Sequence, residues 1–272
     1  MNLDDITIII TTYKSAKKVK FCLNSIKEKC SVIIIENSKD LNLKKDLENN
    51  YKKLRCIIPN ENLGYGKANN LGLKEVKTKY ALILNPDTTL ENDTLEKFLI
   101  RAKNLDFAII SPTILENQNN KDLVEVKNVK GFAMFLNLFK FEKINFFDEN
   151  IFLYFEEIDL CKRILVNKEK IFLDNNIKIN HEGAKSVDEI YQDEIEFNRN
   201  WHWMWSTFYF HKKYKGFFIS LLIVFPYLLT AFLRVFLYLL LFNKRKRKIY
   251  SQRISGLINS ILGKKSWYRP NI

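Results

Sequence analysis

The first candidates for chemistry are carboxylates that follow apolar segments. Asp87 stands in the sequence Asn85-Pro86-Asp87-Thr88, directly after the apolar run 80–84. A carboxylate at the end of a buried strand can hold Mg²⁺ or Mn²⁺, and the metal would bridge it to a substrate diphosphate. The same four residues also fit a β-turn with Pro at its second position and Asp at its third. Both interpretations are open on this motif alone.

Three more acids, Glu156, Glu157 and Asp159, follow the aromatic run 152–155 at the predicted start of a helix. Acids in a first turn complement the helix dipole by ~0.3–1 kcal/mol each, which requires no catalytic role. Adjacent carboxylates beside buried aromatic side chains also repel each other and lose hydration, and both effects raise a carboxyl pKa. A raised pKa suits a general base, so either role fits this cluster.

A glycine-rich segment and a lone histidine complete the candidates. Residues 62–72 read Asn-Leu-Gly-Tyr-Gly-Lys-Ala-Asn-Asn-Leu-Gly and contain three of the eight glycines. Their spacing does not match the third glycine of the dinucleotide-binding fingerprint, and they follow the third predicted strand where that fingerprint follows the first. Two interpretations remain, a tight turn at the start of a helix or a loop that contacts a nucleotide. His181 follows another predicted strand. A histidine at such a position can have a structural role, or it can contact a ligand or a phosphate, and both roles are open.

Alternating strand and helix signals predict how these segments are positioned. Four short apolar runs predict buried strands, at 6–10, 32–35, 54–58 and 80–84. Helical patterns between them predict right-handed crossovers and a mostly parallel central sheet, an α/β fold. Ligands bind beyond the carboxyl ends of such strands. Three of the polar segments lie there, at 11–13, 36–38 and 85–88.

The formal net charge of +13 belongs to the C-terminal quarter of the 272 residues. Residues 1–197 hold 30 basic and 31 acidic side chains, whereas residues 198–272 hold 14 basic side chains and no acid. A near-neutral body argues against nucleic acid as a partner, and a basic tail favours an anionic membrane surface. The four cysteines show no paired or metal-type spacing, which indicates a reducing compartment.

The tail contains a long apolar segment. Of the 26 residues at 217–242, 19 are Phe, Leu, Ile or Val, and the basic run 244–248 follows. As a helix it is about 39 Å long, against a hydrocarbon core of ~30 Å. A single span would place the basic run outside the cell, against the positive-inside tendency, whereas a shallow or re-entrant arrangement bent at Pro226 keeps both basic flanks in the cytosol.

The motifs together resemble the family-2 glycosyltransferases with the GT-A fold, specifically the rhamnosyltransferase-like branch. The resemblance covers roughly residues 5–215, and the motifs occur in the family's order at 10–13, 36–38, 62–72, 84–88, 147–149 and 153–163, followed by His181-x-Gly183-x-x-Ser186. It implies a GT-A domain at 1–215, followed by a hydrophobic and basic membrane-associated helical tail at 216–272.

The resemblance also implies a role for each candidate. The residues implied to contact the nucleotide-sugar donor are Thr12, Tyr13, Glu36, Gly64, Asn69 and Asn85. Asp87 and His181 would hold the divalent metal, Mg²⁺ or Mn²⁺, and Asn85 stands in place of the first acid of the family's Asp-x-Asp pattern. Glu157 falls where the family places its catalytic base, usually an aspartate.

The implied function is inverting transfer of a sugar, rhamnose or another hexose, from a nucleoside diphosphate to a lipid-linked or surface-polysaccharide acceptor. The expected location is the cytoplasmic face of a membrane, as in a bacterial inner membrane. One alternative is a sugar-nucleotidyltransferase, which should carry a glycine-rich loop directly after the first strand, and residues 11–18 contain no glycine. The other is a non-catalytic membrane-bound scaffold, which explains the tail but not the ordered acids and glycines.

Overall fold

A computed structural model describes residues 2–26, 30–114, 122–183, 187 and 189–270. The strands are β1 (Ile6–Thr12), β2 (Ser31–Glu36), β3 (Leu54–Ile57), β4 (Tyr80–Leu84), β5 (Thr88–Leu90), β6 (Ile109–Ile114), β7 (Leu123–Glu125), β8 (Ala133–Asn137) and β9 (Ile171–His181). The helices are α1 (Ala16–Ile26), α2 (Leu41–Asn50), α3 (Tyr65–Glu75), α4 (Thr94–Asn104), α5 (Glu156–Val166), α6 (Gln192–Lys215), α7 (Phe217–Leu240) and α8 (Lys244–Ile261).

All the described strands join one sheet in the order β3-β2-β1-β4-β8-β6-β9-β5, and β7 pairs with β9. The first four strands are parallel, as predicted. Strand β8 is antiparallel to both β4 and β6, so β6 and its parallel neighbour β9 run in the direction of β1. Strands β5 and β7 are antiparallel to β9. The predicted α/β fold with a mostly parallel sheet is therefore confirmed.

The core explains why these segments fold as they do. The apolar runs of β1 and β4 are buried throughout because helices cover both faces of the sheet. On one face α3 lies very close to β1, since a Cβ added at Gly72 would come within 2.8 Å of Cγ2 of Ile9. Glycine at this position lets the helix carrying the 62–72 motif pack directly against the first strand.

All four cysteines are free and buried, as expected for thiols that act as small hydrophobic side chains. Cys22 lies on the buried face of α1 beside Val19 and Leu23. Burial raises its pKa to about 12, so the thiol stays neutral. These cysteines therefore contribute to the packing of the core.

The chain divides into two compact units. The sheet unit comprises Met1–Asp148 and Glu157–Glu189, and the helical unit comprises Glu149–Glu156 and Ile190–Ile272. The helical unit thus contains α6, which the sequence assigned to the first domain, and a short segment between β8 and α5. The predicted boundary at 215/216 stays a prediction.

The helical unit is built from three packed helices. Helix α8 runs parallel to α6, because Trp201 Nε1 donates to Ser255 Oγ (3.1 Å) and Ser260 Oγ donates to the carbonyl of Trp205 (2.8 Å). The two helices approach so closely that a Cβ at Gly256 would lie 2.1 Å from the Trp201 carbonyl oxygen. Helix α7 packs against both.

Helix α7 buries only a narrow stripe of small side chains, Ser220, Val224 and Ala231. Most of its large apolar side chains face outward, including Phe218 (80% exposed) and Leu222 (76%). In the part of the chain that the structure describes, α7 is the helix long and apolar enough to cross a membrane, judged by length and composition.

Candidate active site

The carboxyl ends of β1, β2 and β4 meet at one edge of the sheet, as predicted. Thr12 and Glu36 are the last residues of β1 and β2 and are direct neighbours in the register of the two strands. Asn37 follows, and its backbone N–H donates to the Thr12 carbonyl oxygen over 2.9 Å. The polar residues of the first two candidate segments therefore stand side by side at the edge where ligands bind in α/β sheets.

The Glu36 carboxylate is fully buried and bonded to its own loop. Oε1 accepts hydrogen bonds from the Ser38 backbone N–H (2.9 Å) and the Ser38 hydroxyl, and Oε2 accepts from the Asp40 N–H (2.7 Å). These donors offset the cost of burying a carboxylate. Glu36 thus shapes the loop that leads from β2 to α2, and its implied contact with a nucleobase stays a prediction.

Thr12 and Tyr13 lie in a turn tied together by serine hydroxyls. The Thr12 hydroxyl is buried and lies 2.6 Å from Ser15 Oγ, which also accepts from the Tyr13 N–H over 3.3 Å. The next amide, of Lys14, donates to Ser38 Oγ over 3.2 Å, so the turn after β1 is joined to the loop after β2. The partly buried Tyr13 side chain lies at this junction.

Gly64 caps the N-terminus of α3 with φ 77° and ψ −171°, a conformation that residues with a Cβ rarely adopt. Its N–H donates to Asn62 Oδ1 over 3.1 Å. Asn37 links the same turn to β2, because its Oδ1 accepts from the Leu63 N–H (3.3 Å) and its Nδ2 donates to the Gly64 carbonyl (3.4 Å). The turn interpretation of the 62–72 motif is confirmed, and the turn lies beside the ends of β1 and β2.

The side chain of Asn69 is fully buried and bonded at both ends within the protein. Nδ2 donates to the Tyr65 carbonyl over 3.0 Å, and Oδ1 accepts from the Thr11 hydroxyl over 3.1 Å. The geometry gives Asn69 the task of holding α3 against the end of β1. A direct contact with the donor stays a prediction.

The segment after β4 forms the β-turn that its sequence fits. The Thr88 N–H donates to the Asn85 carbonyl over 3.2 Å, and the Thr88 hydroxyl donates to the same oxygen over 2.6 Å. On the other side, the Asn85 N–H donates to the Phe132 carbonyl over 2.8 Å. The β-turn and the metal site are compatible interpretations of this motif, because the turn fixes the position of Asp87.

Asp87 and His181 are brought together by the pairing of β5 with β9. Thr88, next to Asp87, is the register partner of His181. Nε2 of His181 lies 3.5 Å from Oδ1 of Asp87, whose side chain has no exposed surface. Within the described part of the chain, Nε2 has no hydrogen-bond partner. No cluster of three or more His, Cys, Asp or Glu side chains suited to a metal occurs among these residues.

One ring joins this pair to a cavity in the sheet unit. Phe132 stacks on His181 with ring centroids 4.7 Å apart. It also lines a cavity of about 320 Å³ whose walls include Thr113, Lys130 and Glu157. The Thr113 hydroxyl is buried there without a hydrogen-bond partner among the described residues, so the cavity offers an unsatisfied polar atom as well as apolar surface.

Glu157 is the acid among the residues that line this cavity. Burial raises the pKa of its carboxyl above the ordinary value of 4.5, and hydrogen bonds from the backbone of Glu157 and Ile158 lower the pKa in part. Asp159 is different, because its buried carboxylate accepts from Arg163 Nε over 2.8 Å, one turn along the helix. The acidic cluster therefore contains one structural ion pair and one candidate base.

The predicted site residues all lie in the sheet unit, and Ser186 of the last motif lies outside the described residues. Sequence reasoning missed Asn37 and Phe132, which connect the candidate segments. Asn37 lies inside the 36–38 motif, so the sequence carried a signal for it. Phe132 carried none, because a phenylalanine in an apolar strand predicts only burial.

Solved structures with the same architecture include a mannosyltransferase. The mannosyltransferase PcManGT from Pyrobaculum calidifontis, described in complex with GDP-Man and Mn²⁺, superposes with a TM-score of 0.61 at 13% identity, over 96% of this chain and 88% of that one. Residues 1–349 of TarS from S. aureus superpose with a TM-score of 0.56 at 13% identity, over 99% and 93%. At these identities the likeness shows the fold, which is GT-A.

Two curated relatives are similar in sequence. The low-salt glycan biosynthesis hexosyltransferase Agl10 of Haloferax volcanii is 25% identical over 191 residues, which are 59% of this chain and 62% of that protein. The dTDP-rhamnosyl transferase RfbF of Shigella flexneri is 23% identical over 215 residues, 69% and 72% of the two chains. The chain thus spans less than two thirds of the first relative's length.

The family is shown by a broader match. The model of the family described as Glycosyl transferase family 2 matches residues 7–168, more than half of the chain. The match contains every candidate residue from Thr12 to Glu157 and ends before His181. The chain therefore belongs to glycosyl transferase family 2.

Proposed function

We propose that the protein is an inverting glycosyltransferase that moves a hexosyl group, rhamnose or another hexose, from a nucleoside-diphosphate donor to a hydroxyl of a lipid-linked or surface-polysaccharide acceptor. The observation that carries the proposal is the position of Phe132, which stacks on His181 and lines the Glu157 cavity. A candidate base and a candidate diphosphate site are thereby separated by a single ring. Family membership favours this activity over a nucleotidyltransferase or a scaffold.

The Asp87–His181 pair fits a divalent metal. Its donors are a carboxylate oxygen and an imidazole nitrogen 3.5 Å apart, and the nitrogen makes no hydrogen bond to the described residues. Mg²⁺ and Mn²⁺ sites in enzymes of this kind use one or two protein ligands and take further oxygens from substrate phosphates and water. Bound there, the metal would offset charge on the departing diphosphate. The Mn²⁺ in the PcManGT complex supports this assignment.

The remaining donor contacts follow the edge of the sheet. Thr12, Tyr13 and Glu36 lie at the carboxyl ends of the paired strands β1 and β2, where a nucleobase would bind. The backbone amides that follow Gly64, in the first turn of α3, favour binding of an anion such as the diphosphate. Asn85 stands in the turn that orients Asp87. Asn69 contributes indirectly, since its amide holds α3 in place.

Glu157 acts as the general base. Its carboxylate removes the proton from the acceptor hydroxyl, whose oxygen then forms a bond to the anomeric carbon of the donor sugar. The bond from that carbon to the diphosphate oxygen breaks on the opposite side, so the configuration inverts. One base is sufficient for this reaction, because a retaining double displacement would require a separate nucleophile. The raised pKa of Glu157 matches the task of accepting a proton.

We assign the protein to the cytoplasmic face of a membrane, with an anionic bilayer surface as partner of the tail. The outward-facing apolar side chains of α7 and the 14 basic side chains of residues 198–272 support this location. A near-neutral body gives no support to nucleic acid as a partner. A membrane-bound enzyme meets lipid-linked acceptors in two dimensions, which favours that acceptor class.

The test is Glu157→Gln, measured as nucleoside-diphosphate release from a panel of nucleotide sugars with Mn²⁺ or Mg²⁺. We expect transfer to fall by about 10²- to 10⁴-fold, the usual contribution of a general base, while donor affinity is retained. Removal of metal with EDTA should stop release in the unchanged protein. The matched control is Glu142→Gln, the same substitution at an exposed acid of the sheet unit. Unchanged turnover of Glu157→Gln would refute the assignment.

A further inference from the structure

The segment that leads into Glu157 has an unusual backbone. Tyr154 and Phe155 have φ angles of 70° and 71°, in the left-handed region that residues with a Cβ avoid. Two successive aromatic residues in this conformation are strained, and such strain persists only where the surroundings hold it. Glu157 follows two residues later, at the start of α5.

This strained turn belongs to the helical unit and is held there by side chains of α6. The ring of Trp203 lies edge-on to Tyr154 (5.3 Å between centroids) and also contacts Phe155 (5.5 Å). Phe155 packs in addition against Phe210, with centroids 5.1 Å apart. Since α6 is a continuous helix of 24 residues, these rings give the turn a rigid support.

The residues just before the turn are held by the C-terminal segment 266–269. The guanidinium carbon of Arg269 lies 3.8 Å from the centroid of the Phe152 ring. His202 of α6 stacks on Phe152 as well, at 4.4 Å. The same imidazole joins α6 to the C-terminal segment, because Nε2 lies 2.8 Å from the Tyr268 carbonyl oxygen and Nδ1 lies 2.9 Å from Ser266 Oγ.

We propose that α6, together with Ser266, Tyr268 and Arg269, forms a clamp that holds the turn at Tyr154–Phe155 and thereby sets the position of Glu157. Trp203 and Arg269 are then positioning residues for the reaction, although neither touches the substrate. The proposal rests on the proposed function in one respect, since it is Glu157 that the clamp positions. It gives the tail of the chain a part in catalysis in addition to membrane association.

The clamp can affect Glu157 because this base comes only two residues after Phe155 in the turn. If the turn relaxes to ordinary φ angles, the direction of the chain entering α5 changes, and Glu157 moves with the first turn of that helix. Displacements of about 1 Å at a catalytic group cost on the order of 10²-fold in rate. Binding of the nucleotide depends on the ends of β1, β2 and β4, which belong to the sheet unit, whereas the clamp residues belong to the helical unit.

The experiment compares Trp203→Ala and Arg269→Gln in the full chain. Trp203 is 45% exposed and Arg269 is partly exposed, so both variants should fold, which thermal melts can verify. We expect kcat to fall about 10- to 100-fold with an unchanged donor KM, and amide hydrogen exchange of residues 152–160 to become faster. Trp203→Phe, which keeps an aromatic ring against the turn, should restore most of kcat.

The matched control is Trp267→Ala, which removes a large ring from the same C-terminal segment. Trp267 is 55% exposed. It makes ring contacts with Trp201 and Tyr268 and donates a hydrogen bond to Asn259, and these partners all lie outside the loop 152–155. It should leave kcat and the exchange of residues 152–160 unchanged.

The outcomes separate the clamp from the proposed function. Unchanged hydrogen exchange in both Trp203→Ala and Arg269→Gln would overturn the clamp, whatever the reaction. Faster exchange with kcat as in the unchanged protein would overturn the positioning role. Full activity of Glu157→Gln, measured alongside, would instead refute the base, and the exchange data would still decide whether the clamp exists.

Discussion

At the level of single residues, the surroundings of Glu157 determine how transfer should depend on pH. The base must be deprotonated to accept a proton, and burial raises its pKa above 4.5. We therefore expect kcat to fall with decreasing pH, with a midpoint above 4.5. The neighbouring thiol of Cys161, whose pKa burial raises to about 11, stays neutral over this range. Steady-state rates at saturating donor and acceptor measure this dependence.

The residual activity of Glu157→Gln provides the control for that pH profile. Its rate should depend less on pH at the acidic end of the profile, because glutamine does not titrate. A midpoint at or below 4.5 in the unchanged protein would show that the carboxyl is fully hydrated when the acceptor is bound, which contradicts a buried base.

Residue types were sufficient to select candidate site residues, but they did not predict the partners of the side chains. The types and order of Asp87, Glu157 and His181 were sufficient to select them from the sequence. Asn69 was selected by the same reasoning, yet its amide is bonded to Thr11, which lies 58 residues earlier in the chain. A sequence pattern indicates that a polar residue stands near a site, but whether its polar atoms face a ligand or the protein depends on long-range contacts.

At the level of elements, local patterns predicted the strands and helices between residues 6 and 84. Short apolar runs bounded by polar turns are a strong signal for buried parallel strands, so β1 to β4 were found within a few residues of their bounds. The strands after β4 were harder to predict, because β5 and β7 have three residues each and the pairing of β6 with β9 shifts register between Pro112 and Thr113. The β5–β9 register, which joins Asp87 to His181, has no local signal.

Helix α7 should lie in the plane of the membrane. It runs antiparallel to its neighbours, since Phe217 at its start contacts Phe208 of α6 and Tyr238 near its end stacks on Tyr250 of α8. If α7 crossed the bilayer, α6 and α8 would enter with it. Their charged side chains cost about 2.5–3.5 kcal/mol each at the bilayer centre. An in-plane helix buries only its outer face and leaves α6 and α8 in the cytosol.

Single-cysteine labelling tests this arrangement. Lys264→Cys places a thiol just after α8, and the four native cysteines are buried and unreactive. With α7 in the plane, an impermeant thiol reagent should label this residue only after the cells are opened. Labelling in intact cells would mean that α7 spans the membrane.

At the level of the whole molecule, the charge is divided between a near-neutral body and a basic tail, and the structure shows which basic side chains are available to a membrane. Arg245 pairs with Asp193 (2.8 Å) and also with Glu196, and Lys248 pairs with Glu194 (3.0 Å). These acids begin α6, so part of the basic run is used inside the helical unit. Lys244 is exposed and Arg247 partly exposed, and neither is needed for those pairs.

We therefore expect Lys244→Gln combined with Arg247→Gln to weaken binding to vesicles that contain phosphatidylglycerol. Each basic side chain near an anionic surface contributes about 1 kcal/mol, so the pair should cost roughly 30-fold in affinity, measured by co-sedimentation at low salt. Binding should also weaken as salt shortens the Debye length from about 10 Å at 0.1 M to about 3 Å at 1 M. Lys45→Gln with Lys52→Gln makes the same charge change in the sheet unit and should have no effect. Equal losses in the two double variants would mean that net charge, and not the tail, directs the protein to the membrane.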